Sequence, residues 1–202
     1  MSKFLFPSTI QSRPVYGTLK ARPGTSHLMV ADAEGAEALI DLAASAPDLM
    51  PKAHVIYFPK ETGAAYLDRL RALAPAQLYV GPSYAAAVPR LRKTLADAHM
   101  GLQIYLAGTE GIIGQAMQEA ITAGYPASAI QTEHRGSVAR RVQCVHCKGI
   151  TEDVTTTPFV CAHCGLNLFV RDHYSRRHAA FQGVCIDAED PGEVPEPEGL
   201  YQ

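Results

Sequence analysis

Four of the five cysteines form two matched pairs in the last third of the chain. Cys144 and Cys147 make one C-x2-C sequence, and Cys161 and Cys164 make a second after thirteen intervening residues. Each such turn directs two sulfur atoms at the same point, so the spacing is typical of one tetrahedral four-thiolate metal site in an intracellular protein. The intervening "ITEDVTTTPFV" is rich in β-branched residues and predicts a hairpin that brings the two turns together.

The identity of the ion stays open between two metals. Zinc in a closed four-sulfur site does no redox chemistry and supplies folding energy to a segment too small for a core of its own. Iron in the same rubredoxin-like cage would carry one electron. His146 and His163 lie inside the two turns and are possible replacement ligands, although four cysteines at this spacing favour a place for them beside the ligand set or at the surface. Cys185 is left over, and we interpret it as a buried structural thiol because no activating partner is identifiable.

The residues before the cysteines alternate between strand and helix patterns. Short apolar runs predict five strands, and helical spacing follows each of the first four. Thr109 is expected to cap the fourth helix and Gly124 to end it, while Pro89 fits the third helix only near its first turn. This pattern predicts an α/β fold, a parallel Rossmann-like sheet with helices on both faces, followed by a small β-rich metal ribbon. The predicted strands are 27–32, 53–58, 76–81, 102–108 and 128–133.

Parallel sheets of this kind bind ligands beyond the carboxyl ends of their strands. The first strand-to-helix turn, "ADAEGAEA", holds one glycine, Gly35, and three acidic residues, Asp32, Glu34 and Glu37. A phosphate site needs unobstructed backbone amides and no fixed negative charge, so this turn argues against tight pyrophosphate binding. We interpret the acids as residues that cap the first helix and favour its dipole.

Composition excludes several classes of protein. The 202 residues are 47% hydrophobic and 19% charged, with a net charge of −2, as in an ordinary globular protein. Apolar runs fall short of the roughly 20 residues that a membrane helix needs, and the N-terminal "MSKFLFPSTIQSRP" lacks the apolar core of a signal peptide, so we expect a cytoplasmic protein. The sequence contains no G-x-S-x-G, H-E-x-x-H or Walker sequence that would support a hydrolase.

Charge changes in blocks along the chain and suggests separate units. Residues 135–180 carry seven basic and three acidic side chains, and residues 186–202 carry six acidic and no basic ones. The last block is also rich in proline, which is typical of a flexible tail. We expect an N-terminal extension, an α/β domain, a four-cysteine metal ribbon and a flexible acidic tail at residues 1–26, 27–134, 138–185 and 186–202.

The α/β segment resembles a known family. The strings "HLMVADAEGAEALIDLAASAP" and "IYLAGTEGIIGQAMQEAITAGYPASAIQTE" are similar to the nicotinamide-nucleotide domain of ferredoxin-reductase-type oxygenase reductases over residues 27–134. The family's Cys-Gly-Pro after the fourth strand is Ala107-Gly108-Thr109 here, and its glycine-rich first turn carries Asp32 and Ala33 in place of two glycines. The resemblance implies the fold. It also points to a degenerate cofactor turn formed by Asp32, Ala33, Gly35, Gly108 and Thr109.

The C-terminal stretch resembles a second family. The cysteine pairs and the run "LFVRDHYSRR" (168–177) are similar to the small, cysteine-motif subunit of bacterial dimethylamine monooxygenase. That resemblance implies an NADPH-dependent, multicomponent enzyme that converts dimethylamine and O2 to methylamine and formaldehyde. It further implies that other subunits carry the flavin, the iron–sulfur cluster and the oxygen-activating iron.

Three hypotheses of function follow. The first is a docking or electron-relay subunit, not catalytic by itself, that meets its partners through the polar residues Arg171, Tyr174, Arg176 and Arg177. The second is a pyridine-nucleotide reductase in its own right, binding NAD(P)H in this chain. The third is a zinc ribbon that binds nucleic acid, which the net negative charge and the acidic tail disfavour.

Overall fold

The computed structural model describes residues 12–60 and 64–201 and divides the chain into two compact units. The α/β unit comprises residues 16–138. The ribbon unit comprises residues 139–201 together with residues 12–15. The predicted N-terminal extension is therefore shared between the two units. Its residues 1–11 lie outside the described residues.

The α/β unit is built on one parallel sheet of five strands. The strand order is β3-β2-β1-β4-β5. Strands β2 and β3 therefore lie on one side of β1, and β4 and β5 lie on its other side. Four helices connect the strands, and a 3-10 turn over Pro47–Lys52 leads into the second strand. The elements are β1 (Ser26–Asp32), α1 (Gly35–Ser45), β2 (Ala53–Phe58), α2 (Ala64–Ala72), β3 (Gln77–Val80), α3 (Tyr84–Asp97), β4 (Leu102–Gly108), α4 (Glu110–Thr122) and β5 (Ile130–His134).

Apolar side chains cover both faces of this sheet. Alternate residues of β1 enter different clusters, with Met29 on one face and Leu28 and Val30 on the other. Helix α1 packs Leu39 on the first face, and helix α3 packs Leu91 on the second. The predicted α/β fold class, with helices on both faces, is confirmed.

Two local features differ from the sequence expectation. Helix α3 begins after the N-cap Ser83, whose hydroxyl accepts from the Ala86 backbone N–H, so Pro89 lies in the second turn and not the first. Proline at that position removes one i→i−4 hydrogen bond near the helix start, which the helix tolerates. Thr109 is the N-cap of α4 as predicted, but its side chain makes no cap hydrogen bond and turns to Asp32 instead.

Residues 17–20 line the outer edge of the sheet. The Gly17 backbone N–H donates to the Thr132 carbonyl at 2.9 Å, and the Gln131 side chain exchanges two hydrogen bonds with the Lys20 backbone. The Leu19 backbone N–H donates to the buried carboxylate of Glu133 at 2.7 Å. This part of the predicted extension therefore covers the β5 edge, which would otherwise leave unpaired backbone groups.

The ribbon unit holds a second, mixed sheet and a short two-stranded one. The order of the larger sheet is β7-β6-β11-β10-β9, with β6 and β11 parallel and the other pairs antiparallel. Strand β12 pairs antiparallel with β8. The strands are β6 (Arg140–Cys144), β7 (Ile150–Val154), β8 (Thr156–Thr157), β9 (Phe159–Val160), β10 (Asn167–Ser175), β11 (Ala180–Cys185) and β12 (Glu198–Gly199).

The end of the predicted tail, residues 186–202, pairs with the ribbon unit at residues 198–201. Residues 188–200 are exposed, as their acidic composition predicts. However, Glu198 and Gly199 form β12, and the Tyr201 ring lies over the guanidinium of Arg140. Backbone pairing and this ring contact hold the end of the tail in place. Within the described ranges, none of the helices is long and apolar enough to span a membrane.

Candidate metal centre

The four paired cysteines lie on two turns of the same construction. The first follows β6: the Lys148 backbone N–H donates to the Cys144 carbonyl at 3.0 Å, with Lys148 at φ +63°. The second precedes β10: the Gly165 backbone N–H donates to the Cys161 carbonyl at 3.0 Å, with Gly165 at φ +74°. The left-handed conformation at this point in each turn favours glycine, which the second turn supplies.

The two turns bring four free sulfur atoms into one cluster. All four lie within 4.8 Å of one another. The Cys144 and Cys164 sulfurs are 3.9 Å apart, and the Cys147 and Cys161 sulfurs are 3.8 Å apart. Four thiolates at about 2.3 Å from one tetrahedral ion would be separated by about 3.8 Å. The cluster therefore has the dimensions of a four-thiolate metal site.

Backbone amides favour the thiolate form of Cys161. Burial opposes its ionisation, but backbone N–H groups of Cys164 and His163 donate to the sulfur, and the thiols of Cys164 and Cys147 add to them. The net effect lowers the pKa of Cys161 to about 6. These backbone donors favour the deprotonated sulfur that binds a metal ion.

The surroundings of Cys164 oppose the ionisation of its thiol. The backbone N–H of Leu166 favours the Cys164 thiolate, yet burial and hydrogen bonding with the other three cysteines raise the pKa of Cys164 to about 12. A divalent cation removes that conflict, because it attracts every sulfur. Cys144 and Cys161 are buried, whereas Cys147 and Cys164 reach the surface.

The two histidines of the turns lie outside the sulfur cluster. His163 Nε2 is 2.8 Å from the Ile150 carbonyl oxygen, so its ring joins the second turn to the strand after the first. That ring packs on the backbone of Gly149, where an added Cβ would lie 2.4 Å from the His163 Cγ. Because the His163 ring packs so closely there, glycine at position 149 is required for contact between the two turns. His146 is exposed.

Cys185 stands apart from this group. It is partly buried, and its thiol donates to Asp187 Oδ1 at 3.2 Å. That hydrogen bond, together with burial, raises the pKa of Cys185. A raised pKa is the opposite of what a nucleophilic cysteine needs, which supports the structural interpretation.

The residues of the degenerate cofactor turn meet at the switch point between β1 and β4. Asp32 ends β1 and is 1% exposed. Its carboxylate accepts from the Thr109 backbone N–H at 2.8 Å and from the Thr109 hydroxyl at 2.6 Å, and it lies 3.0 Å from Lys60 Nζ. A Cβ on Gly108 would fall 1.9 Å from Asp32 Oδ1. The carboxylate thus occupies the amino end of α4, where a phosphate could otherwise bind.

The interpretation of Asp32 as a cap for the first helix was wrong, because its partner belongs to α4, far along the chain. Gly35 packs directly on β4: a Cβ there would lie 2.5 Å from the Ala107 carbonyl oxygen. The Ala33 carbonyl accepts from the buried Tyr57 hydroxyl at 2.9 Å. Close packing and an internal ion pair therefore fill the turn, and its residues do not fit a dinucleotide pyrophosphate.

The exposed basic residues cluster on the hairpin that joins β10 to β11. We call this surface the basic hairpin, defined by Arg171, His173, Arg176, Arg177 and His178, all of which are exposed. Tyr174, predicted as a contact residue beside them, is instead 9% exposed and packs edge-on against Phe181 at 5.1 Å between ring centroids. The strand register shifts between Arg171 and Tyr174, and this shift turns the tyrosine into the core.

An ion-pair network around the buried Arg140 was not predicted from the sequence. The Arg140 guanidinium lies between the rings of Phe181 and Tyr201, at 3.9 and 4.1 Å from their centroids, and donates to Asp172 at 2.9 Å. Asp172 also pairs with Arg13. In the sequence, Arg140 and Asp172 carry no signal beyond their charges, because their partners come from distant segments.

The fold and the cluster define a class of protein: an α/β unit with a five-stranded parallel sheet, joined to a four-cysteine ribbon. The chain belongs to the DmmA-like family of dimethylamine monooxygenase subunits, whose N-terminal domain matches residues 8–130 and whose C-terminal domain matches residues 141–184.

The chain is also similar to individual proteins. It is 36% identical over 110 residues to the heme-dependent oxidative N-demethylase delta subunit of Ectopseudomonas mendocina (strain ymp), a match that covers 54% of this chain and 63% of that protein. Among solved structures it is similar to a flavohemoglobin from Malassezia yamatoensis, at 12% identity and a TM-score of 0.39, covering 57% of this chain and 33% of that one.

Proposed function

We propose that this chain is a docking subunit, not catalytic by itself, of an NADPH-dependent monooxygenase that converts dimethylamine and O2 to methylamine and formaldehyde. The family membership and the oxidative N-demethylase relative support the complex. The observation that carries the role is the Asp32 carboxylate at the amino end of α4, which takes the place of a pyrophosphate. NADPH, flavin and iron centres belong to the partner subunits in this proposal.

The four-cysteine cluster holds zinc in this proposal. The donor set is all thiolate, and the separations of 3.8 and 3.9 Å match a tetrahedral site. Zinc bound there supplies folding energy and no redox chemistry. Cys144 and Cys147 then tie β6 to the second turn, and the ion fixes the strands that present the basic hairpin.

The basic hairpin is the docking surface in this proposal. Arg171, Arg176 and Arg177 have exposed side chains that make no ion pair with any described residue. Unpaired arginines of this kind favour an acidic partner surface, because planar guanidinium groups bind carboxylates in pairs of hydrogen bonds. Tyr174 contributes to the core and supports the hairpin from beneath.

The docking role is tested by charge reversal in the assembled complex. Replacement of Arg176 and Arg177 by glutamate should weaken retention of the chain by its partners at least about tenfold, since each such contact is worth roughly 1 kcal/mol or more. The matched control replaces Arg69 and Arg71, two exposed arginines of α2, and should leave retention unchanged. Unaltered assembly of the first variant, with its zinc content intact, would contradict the docking role.

The absence of a nucleotide site is tested on the isolated chain. Titration with NADPH, followed by calorimetry, should give a dissociation constant weaker than roughly 0.1 mM, because the amino end of α4 is already neutralised. Saturable binding in the low-micromolar range would instead establish the reductase alternative.

Electron relay is a second candidate role, favoured by the position of Cys147 and Cys164. Both residues are exposed, so a metal–thiolate centre there would lie close to the surface and to a redox partner. This role requires iron in place of zinc. Purified protein with a visible thiolate-to-iron absorption that bleaches on reduction would support it, whereas colourless protein with one zinc ion per chain would exclude it.

A further inference from the structure

Two sulfur contacts of the cysteine cluster join its two turns to each other. The Cys144 sulfur lies 3.9 Å from that of Cys164, and the Cys147 sulfur lies 3.8 Å from that of Cys161. Each contact pairs a buried cysteine, Cys144 or Cys161, with an exposed one, Cys164 or Cys147. An oxidant in solution therefore reaches one sulfur of each contact, and a second thiol lies beside it to complete a disulfide.

Contacts that involve no sulfur also hold the two turns together. His163 Nε2 lies 2.8 Å from the Ile150 carbonyl oxygen, and the Ala162 backbone N–H donates to the Thr151 hydroxyl at 3.2 Å. The His163 ring also packs on Gly149. Because these contacts join the second turn to the start of β7 without the help of an ion, they keep the sulfurs of the two turns opposed when the ion is lost.

Disulfides across the turns constrain the chain more than disulfides within them. Cys144 and Cys164 are 20 positions apart, and Cys147 and Cys161 are 14 positions apart. The members of each C-x2-C pair are separated by only two residues. A disulfide restricts the unfolded chain more when it closes a longer loop, so the cross-turn pairs stabilise the fold more. They also join the same two turns that a metal ion joins.

We propose that peroxide converts the four cysteines into two disulfides across the turns, Cys144–Cys164 and Cys147–Cys161, which keep the ribbon unit folded after the metal ion has left. The proposal rests on the zinc site of the proposed function. The complex in that function consumes O2, and partial reduction of O2 yields hydrogen peroxide, so the complex is itself a source of the oxidant. The disulfides thus preserve the basic hairpin when oxidation removes the metal.

Each disulfide consumes one molecule of hydrogen peroxide. The exposed thiolate attacks a peroxide oxygen, so an S–O bond forms, the O–O bond breaks and hydroxide leaves. The buried thiolate then attacks that sulfur, so the S–S bond forms, the S–O bond breaks and a second hydroxide leaves. The two sulfurs lose two electrons, the peroxide gains them, and two protons convert the hydroxides to water. Two disulfides leave no thiolate to bind the ion, so the chain releases it.

The test compares three forms of the purified full chain. They are the reduced chain loaded with zinc, the reduced chain stripped by a chelator, and the zinc-loaded chain treated with hydrogen peroxide. A chromophoric chelator should detect release of the bound zinc after about two equivalents of peroxide. Peptide mass spectrometry without reduction should then identify the two cross-turn disulfides. Hydrogen exchange over residues 140–185 should be slow in the oxidised form, within about tenfold of the zinc-loaded form, and fast in the stripped form.

Cys185→Ser is the matched control and should give the same two disulfides and the same release of zinc. Zinc that stays bound in a large excess of peroxide, disulfides within the C-x2-C pairs, or fast exchange in the oxidised form would overturn the proposal. A reduced chain that binds no zinc would contradict the proposed zinc site as well, and its metal content reveals that failure before peroxide is added. Because the test uses the isolated chain, a failure of the docking role leaves its result unchanged.

Discussion

The two units of this chain are stabilised in different ways. The α/β unit buries apolar residues on both faces of its sheet, with side chains such as Leu39, Tyr57 and Tyr105 fully inaccessible. The ribbon unit has a much smaller apolar cluster, centred on Val142, Val170 and Phe181. A bound metal ion would therefore add to the stability of the ribbon unit more than to that of the α/β unit.

The same contrast holds for their charged groups. In the α/β unit, the buried carboxylate of Asp32 finds its partners within the protein, in Lys60 and Thr109. In the ribbon unit, four sulfur atoms crowd together and raise the pKa of Cys164 to about 12 in the absence of a cation. The Asp32 carboxylate is compensated within the protein, whereas the four sulfur atoms form a donor set that could hold a metal ion.

The largest expected effect comes from breaking the sulfur cluster. Cys144→Ser together with Cys161→Ser should unfold the ribbon unit, because a structural zinc site contributes on the order of 10 kcal/mol to its fold. Hydrogen exchange followed by mass spectrometry should lose protection over residues 140–185 and keep it over residues 26–134. Cys185→Ser is the matched control and should leave both regions protected. Equal protection in the double variant would show that the ribbon unit does not depend on a metal.

A core substitution should destabilise the α/β unit and leave the ribbon unit unaffected. Leu39→Ala removes a fully buried side chain from between α1 and the sheet and should lower the free energy of unfolding of the α/β unit by about 2–5 kcal/mol. Urea unfolding with exchange read out separately for each unit measures this change. Metal content should stay at the value of the unaltered chain. A loss of metal alongside the loss of stability would contradict independent stabilisation of the two units.

Substitution of Asp32 should lower the free energy of unfolding by an intermediate amount. Asp32→Asn keeps the size of the side chain but removes the ion pair with Lys60 and weakens the hydrogen bonds from Thr109, so the α/β unit should lose about 1–3 kcal/mol. The urea midpoint measures it, with Asp68→Asn on the exposed face of α2 as control. A stability equal to that of the unaltered chain would mean that the contacts of Asp32 do not stabilise the α/β unit.

The sequence predicts contacts within local patterns better than contacts between distant segments. Alternating patterns predict the strands and helices because each element buries one regular set of residues, and the C-x2-C spacing predicts the sulfur cluster because it is a local rule. The bond between Asp32 and Thr109, the ring of Tyr201 on Arg140 and the inward turn of Tyr174 depend on segments that meet only in the folded chain. Charge and sequence position alone cannot select those partners.

The smallest expected effect is the pH dependence of the α/β unit. Burial, followed by the charge of Lys52, lowers the pKa of His27, and burial followed by Arg90 lowers that of His54. Because the unfolded chain then takes up protons first, stability should be constant above pH about 6.5 and fall below it. Urea midpoints at pH 7.5 and 5.5 measure the loss, which His27→Gln should reduce by less than about 1 kcal/mol. Stability that rises on acidification would contradict the assignment.

Metal analysis of the purified full chain is the decisive test of the structural zinc site. We expect one zinc ion per chain, a colourless protein, and four thiols that react with a thiol reagent only after a chelator has removed the ion. Protein that carries no metal while keeping the ribbon unit folded would contradict a structural zinc site, as would a coloured, reducible iron centre on the four cysteines.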